Sequence, residues 1–125
     1  MTPKFRAWDI HGQKMFTNDE LIIWNSNVYA NDSKKLTCNY LKGWTIDDKS
    51  LMQSTGLKDI NGVEIFEGDI VRFFDSLYTI FYDIKEGSYR LKPHDERWVI
   101  DYMSNFSSEE NFEIVGNIYE NKEYL

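Results

Sequence analysis

Cysteine is almost missing from this chain: Cys38 stands alone. No intrachain disulfide can form, and a reducing compartment is the natural setting. Proline occurs only twice, so there is no Pro-rich linker. The two histidines, His11 and His94, are isolated, and no His-Glu-x-x-His or Cys-x-x-Cys pattern offers a zinc ligand set. Neither G-x-x-x-x-G-K nor G-x-G-x-x-G is present, which leaves nucleotide binding without support. The longest apolar runs, "LIIW" and "LYTIFY", are far short of a bilayer span, and "MTPKFRAWD" places a charge and a Trp where a signal peptide needs an apolar stretch. A soluble, cytoplasmic protein without membrane contact is expected.

What is present is a packed-core composition on an acidic chain. With 125 residues, 42% of them hydrophobic and 16% aromatic, one domain can bury a core unaided. The formal charge of −7 works against broad phosphate-backbone binding, which depends on Lys and Arg displacing counterions. No repeat or low-complexity segment divides the chain. One domain over residues 1–125 is expected, with an N-terminal β region at 1–50 and a barrel-like region at 51–125.

The strand pattern is strongest after residue 50. "KFRAWD", "IHGQ" and "KMF" read as a hairpin in which Gly12 supplies a positive φ. "LIIW" and "VYA" read as a second pair, while residues 31–50 fit neither strand nor helix period. "DIVRFF", "LYTIFYDI", "SYRLK", "RWVIDY" and "FEIVGNIY" are β-branched and aromatic, separated by turn residues. Within "LYTIFYDI" the set Tyr78, Ile80, Tyr82 and Ile84 makes the better core face. "SSEENF" reads as one capped helical turn and "ENKEYL" as a short helical tail. The fold class is mainly β with little helix: a small, bent, Src-homology-3-like barrel in the C-terminal half, preceded by a β-hairpin region.

"LMQSTGLKDINGVEIFEGDIVRF" holds the most tempting constellation, Asp59, Asn61, Glu64, Glu67 and Asp69. A calcium loop needs Gly sixth and Glu twelfth, whereas counting from Asp59 puts Gly62 fourth and Ile70 twelfth. Turn chemistry accounts for the residues one by one. Asn61-Gly62 suits a two-residue hairpin turn with positive φ at both positions. Glu67-Gly68-Asp69 suits a second reversal, with Asp69 bonding nearby amides. Gly56, Asn61, Gly62, Glu67, Gly68 and Asp69 are therefore read as framework. Paired acids such as Asp47-Asp48 and Glu109-Glu110 read as solvated surface, and Cys38, near Lys34 and Lys35 but without a histidine, as an inert thiol. No catalytic or metal-binding residue is assigned, and no cofactor is expected.

Aromatic and basic residues interleave in the β-rich half. Tyr78, Tyr82, Tyr89, Arg90 and Trp98 could form an interaction surface, since small barrels stack bases on aromatics beside cations. The alternative is that these aromatics fill the core, with the basic groups balanced by Asp75, Asp83, Glu86, Asp95 and Glu96.

"KFRAWD", "LMQSTGLKDINGVEIFEGDIV" and "EIVGNIYEN" stand in the order and spacing of the YopX family of small phage and prophage proteins, which this chain resembles from Lys4 to Leu125. It departs from the family's usual pattern at Ser54 (commonly aromatic), at Ile60 and Val63 (commonly charged) and at Lys122 (commonly Pro). The resemblance implies a β-rich, intracellular phage accessory protein that tends to self-associate. It carries over no catalytic residue. The leading expectation is a non-enzymatic module binding a host or phage protein, or itself, through surface aromatics and unpaired strand edges. Nucleic-acid binding by the barrel ranks second and an acidic DNA mimic third.

Overall fold

The computed structural model describes residues 4–24, 27–31, 43–46, 50–95, 97, 101–102 and 112–125. Cys38 and Trp98 lie outside them, as does most of "SSEENF", whose Phe112 opens a strand. The described residues are mainly β, with short 3-10 turns at Asn18–Glu20 and Lys122–Tyr124. The second is the expected tail. The chain divides into two compact units, residues 1–53 and 54–125.

In the first unit, β1 (Phe5–Asp9) pairs antiparallel with β2 (Lys14–Phe16). On its other side β1 meets the opening residues of a long strand, with Ala7 opposite Leu51. Ala7 is thus flanked by Phe16 and Leu51, and its small side chain lets both pack closely, with Val28 and Leu21 completing the cluster. The strands β3 (Leu21–Trp24), β4 (Asn27–Asn31) and β5 (Gly43–Ile46) form a separate antiparallel sheet in sequence order. β5 comes from the stretch whose periodicity was undecidable. The β1–β2 hairpin forms as expected, but the positive φ falls on Gln13 (52°) and not on Gly12. Glycine is needed at 12 for another reason: a Cβ there would come within 2.7 Å of the Asp9 carboxylate. That carboxylate in turn accepts the His11 amide at 3.1 Å.

The long strand β6 (Leu51–Lys58) continues into the second unit, where it pairs with β7 (Glu64–Phe66). Next come β8 (Asp69–Phe73), β9 (Ser76–Asp83), β10 (Ser88–Pro93), the two-residue β11 (Asp101–Tyr102) and β12 (Phe112–Asn117). Their sheet order is β11-β10-β9-β8-β12, so the last strand returns beside the first of the five. This is the strand order of the small Src-homology-3-like barrel. One face contributes Val71, Tyr78, Ile80, Leu91 and Phe112 to a core that also takes Ile65 from β7. Burying a residue such as Phe112 or Ile80 contributes about 2–3 kcal/mol. Alternation along β9 holds for Tyr78 and Ile80 and then runs past the core. Tyr82 is 44% exposed, and Ile84, past the end of β9, is exposed as well.

β12 ends in a clasp. Asn117 Oδ1 accepts the amides of Tyr119 (3.0 Å) and Glu120 (2.9 Å), while the Asn117 amide donates to Asn121 Oδ1 at 3.1 Å. The returning Asn121 passes so close to Gly116 that an added Cβ would sit 2.5 Å from its Cγ and Oδ1. Gly116→Ala is therefore expected to cost about 2 kcal/mol by displacing Asn121. The penalty should shrink in an Asn121→Gly background, where the two changes are less than additive by thermal or urea unfolding.

Candidate functional site

Geometry assigns the "LKDINGVEIFEGD" stretch to structural work. Asp59 is buried, and its carboxylate reaches two segments far apart in sequence. Oδ1 accepts the amides of Asn61 and Val63, both at 2.9 Å, and Oδ2 accepts the Ile114 amide of β12 at 3.1 Å. The Ile60 amide adds a bond to the Phe112 carbonyl at 2.9 Å. The loop itself differs from the expected two-residue turn. The Gly62 amide bonds Asp59 O at 3.0 Å and the Asp59 amide bonds Val63 O at 2.8 Å, so three residues, 60–62, make the reversal. Of Asn61 and Gly62 only Gly62 has positive φ (78°), the pattern of a type I turn closed by a glycine bulge.

The neighbouring framework residues follow the same logic. Gly56 has φ 81° at the irregularity in β6, where the Thr55 hydroxyl donates to Ile65 O at 2.8 Å. Asp69 is almost fully buried, and its Oδ2 accepts the Phe66 amide at 2.8 Å across the Glu67-Gly68 reversal. Gly68 (φ 83°) donates its amide to Ile80 O and accepts from Ile118 through its carbonyl. Among the described residues no three His, Cys, Asp or Glu side chains converge as a metal site would require. His94 Nε2 instead sits 2.7 Å from Thr79 Oγ1.

The aromatic and basic set separates into different environments. Tyr78 is buried in the core and only 9% exposed, which takes it off the interaction face on which it was a candidate. Tyr82 and Tyr89 oppose each other on β9 and β10 with ring centroids 5.1 Å apart. The Tyr89 hydroxyl donates to Ser54 O at 3.3 Å. Its pKa is raised, first by burial, then by the negative charge of Glu67 and the neighbouring Tyr82. Arg90 is committed to Asp83 at 2.9 Å. Through that bond, assisted by the Glu86 and Lys85 amides, it holds the Asp83 carboxyl below the usual carboxylate range.

Large apolar side chains stand exposed in the second unit, Ile60, Val63, Phe74 and Ile84, of which strand alternation assigns only Ile84 to the core face. Phe74 is the sharpest case. It was read as the last residue of "DIVRFF", yet β8 stops at Phe73, which pairs with Ser76. Phe74 and Asp75 are left as a two-residue hairpin loop, with Phe74 at φ 55° and 72% exposed. The available signal was the two-residue spacing, but Phe-Asp is not a turn sequence that announces itself.

Charge is divided as unevenly as exposure. Residues 54–125 carry 15 acidic and 7 basic side chains, a formal −8; residues 1–53 carry 6 and 7, a formal +1.

The YopX protein family model matches residues 4–125. The chain belongs to the YopX family. Membership suggests a small phage-type protein and leaves the molecular role open. No curated protein matches the chain. Among solved structures it is similar to protein EF1440 from Enterococcus faecalis, at 28% identity and TM-score 0.58, over 98% of this chain and 97% of that one. The framework glycines, Asp59 and the Gly116–Asn121 clasp lie in the blocks that carried the resemblance, so those blocks mark folding requirements of this YopX chain.

Asp59→Ala leaves three backbone amides without their acceptor and is expected to cost about 3 kcal/mol. Asp59→Asn should not rescue fully, because its amide group would face N–H donors; hydrogen exchange at Ile114 reads the loss directly. Tyr89 should titrate above free tyrosine, and Glu67→Gln should lower its pKa only in part, since burial is the larger cause. Because the folded pKa is the higher one, the stability linked to Tyr89 is complete below about pH 10 and declines as pH rises through the folded pKa. Phenolate absorbance of the wild type and the variant checks both statements.

Proposed function

We propose that this YopX chain is a non-enzymatic protein-interaction module, encoded by phage or prophage and acting in the cytoplasm of the bacterial host. The observation that carries the reading is the display of large apolar side chains at one end of an acidic unit, with Phe74 72%, Val63 53% and Ile60 50% exposed. Side chains of this kind, placed together on a surface, mark association sites. The partner is a protein, either another polypeptide or a second copy.

Nucleic-acid binding by the barrel has less support. The unit that would supply the stacking platform carries the formal −8, and Arg90 is held by Asp83. Counterion release needs uncommitted cations facing phosphate. A DNA mimic is weakened from the other side, because Asp59 and Asp69 are buried in structural bonds and display no charge pattern.

Native mass spectrometry combined with affinity capture from phage-bearing cells tests the proposal. Self-association, or specific retention of a protein, is the expected outcome. A strictly monomeric chain that retains nothing would overturn it, and a salt-sensitive shift of DNA or RNA would replace it with the nucleic-acid reading.

A further inference from the structure

Phe74 combines three properties that stability alone does not favour. It is a bulky residue in the left-handed region, where a Cβ-bearing side chain is strained and Gly or Asn is preferred. It is strongly exposed, and it occupies a tight hairpin loop that many other residues would close at less cost. Backbone strain of this kind clusters at functional positions.

Its surroundings extend the apolar character. The Phe74 ring lies edge-on to Phe73, with centroids 4.5 Å apart, and Phe73 lies 5.2 Å from Phe112. On the far side of Phe112 the Ile60 amide bonds the Phe112 carbonyl, so the exposed Ile60 and Phe74 flank the Phe73–Phe112 pair at one end of the sheet. Two strand spacings, about 10 Å, separate them. Val63, also exposed, stands opposite Asp59 across the same loop. Asp75 follows Phe74 directly and is exposed, and the whole unit carries a formal −8.

We infer that the Phe74–Ile60–Val63 end of the second unit is the docking surface, and that it seats in an apolar cleft ringed by Lys and Arg on a different protein. Charge selects the occupant. A second copy would bring another unit of formal −8, whereas a basic rim gains from the field and is steered by it. The inference rests on the protein-interaction reading and adds the face and the chemistry of the partner.

The test uses the full chain. Phe74→Asn removes the aromatic anchor while putting a residue suited to positive φ into the loop. Its thermal midpoint should therefore hold or rise while retention of the captured partner falls by roughly thirtyfold, the loss of a buried aromatic hot spot. Ile60→Thr should weaken retention as well. Replacing Phe74 by a photo-reactive phenylalanine analogue should cross-link the partner at apolar residues bordered by Lys or Arg, with a yield that falls as salt rises. Cross-links to a second copy of this chain, or to an acidic or neutral surface, overturn the inference. If wild type and Phe74→Asn retain the same partner equally, the docking surface is wrong and the interaction reading stands. If wild type retains nothing the inference fails, and if it is also strictly monomeric the interaction reading fails with it.

Discussion

The second unit depends on a single buried carboxylate. Asp59 accepts backbone amides from its own loop and from β12, 55 residues later, so one side chain both shapes the 60–62 reversal and fastens the returning strand. A carboxylate can do this because it has only acceptor sites and two oxygens to divide between segments. The remaining loop acids and amides repeat the device at shorter range. Asp69 reaches back over Glu67-Gly68, and Asn117 turns the chain toward Asn121. The residues most suggestive of chemistry in the sequence are thus those most occupied in folding.

Local signals that depend on backbone demands were legible. Alternation located β8, β9, β10 and β12, and turn residues located the reversals between them. Details set by tertiary contact were not. "Asn-Gly" announced a turn, but the requirement that Asp59 reach Asn61 and Val63 selected a three-residue loop with one positive φ. Gly12 announced positive φ, yet the approach of Asp9 fixed glycine there and the left-handed conformation passed to Gln13. Alternation along β9 names a face that is core at Tyr78 and Ile80 but cannot tell where along the strand that core ends, which leaves Tyr82 and Ile84 in water.

The exposed surface was the least readable part, for a related reason. Composition shows that apolar residues exceed what turns need, but only strand ends decide which of them stay in water. Phe74 is outside because β8 closes on Ser76 one residue too soon to include it. Charge behaves likewise: −7 over the chain is unremarkable until the unit boundary assigns −8 to one side and +1 to the other. Strain, exposure and an acidic surrounding coincide at Phe74, although each arises from a different level of organisation.

The attachment of the 59–63 loop to β12 has a consequence for how this protein can meet others. β12 is the outermost strand of its sheet, where open N–H and C=O groups would offer a template for an incoming strand. The Phe112 carbonyl and the Ile114 amide, which would begin such a ladder, are already taken by Ile60 and Asp59. Along this stretch the chain has completed its own sheet. Strand addition at this point of β12 is blocked by the chain's own loop.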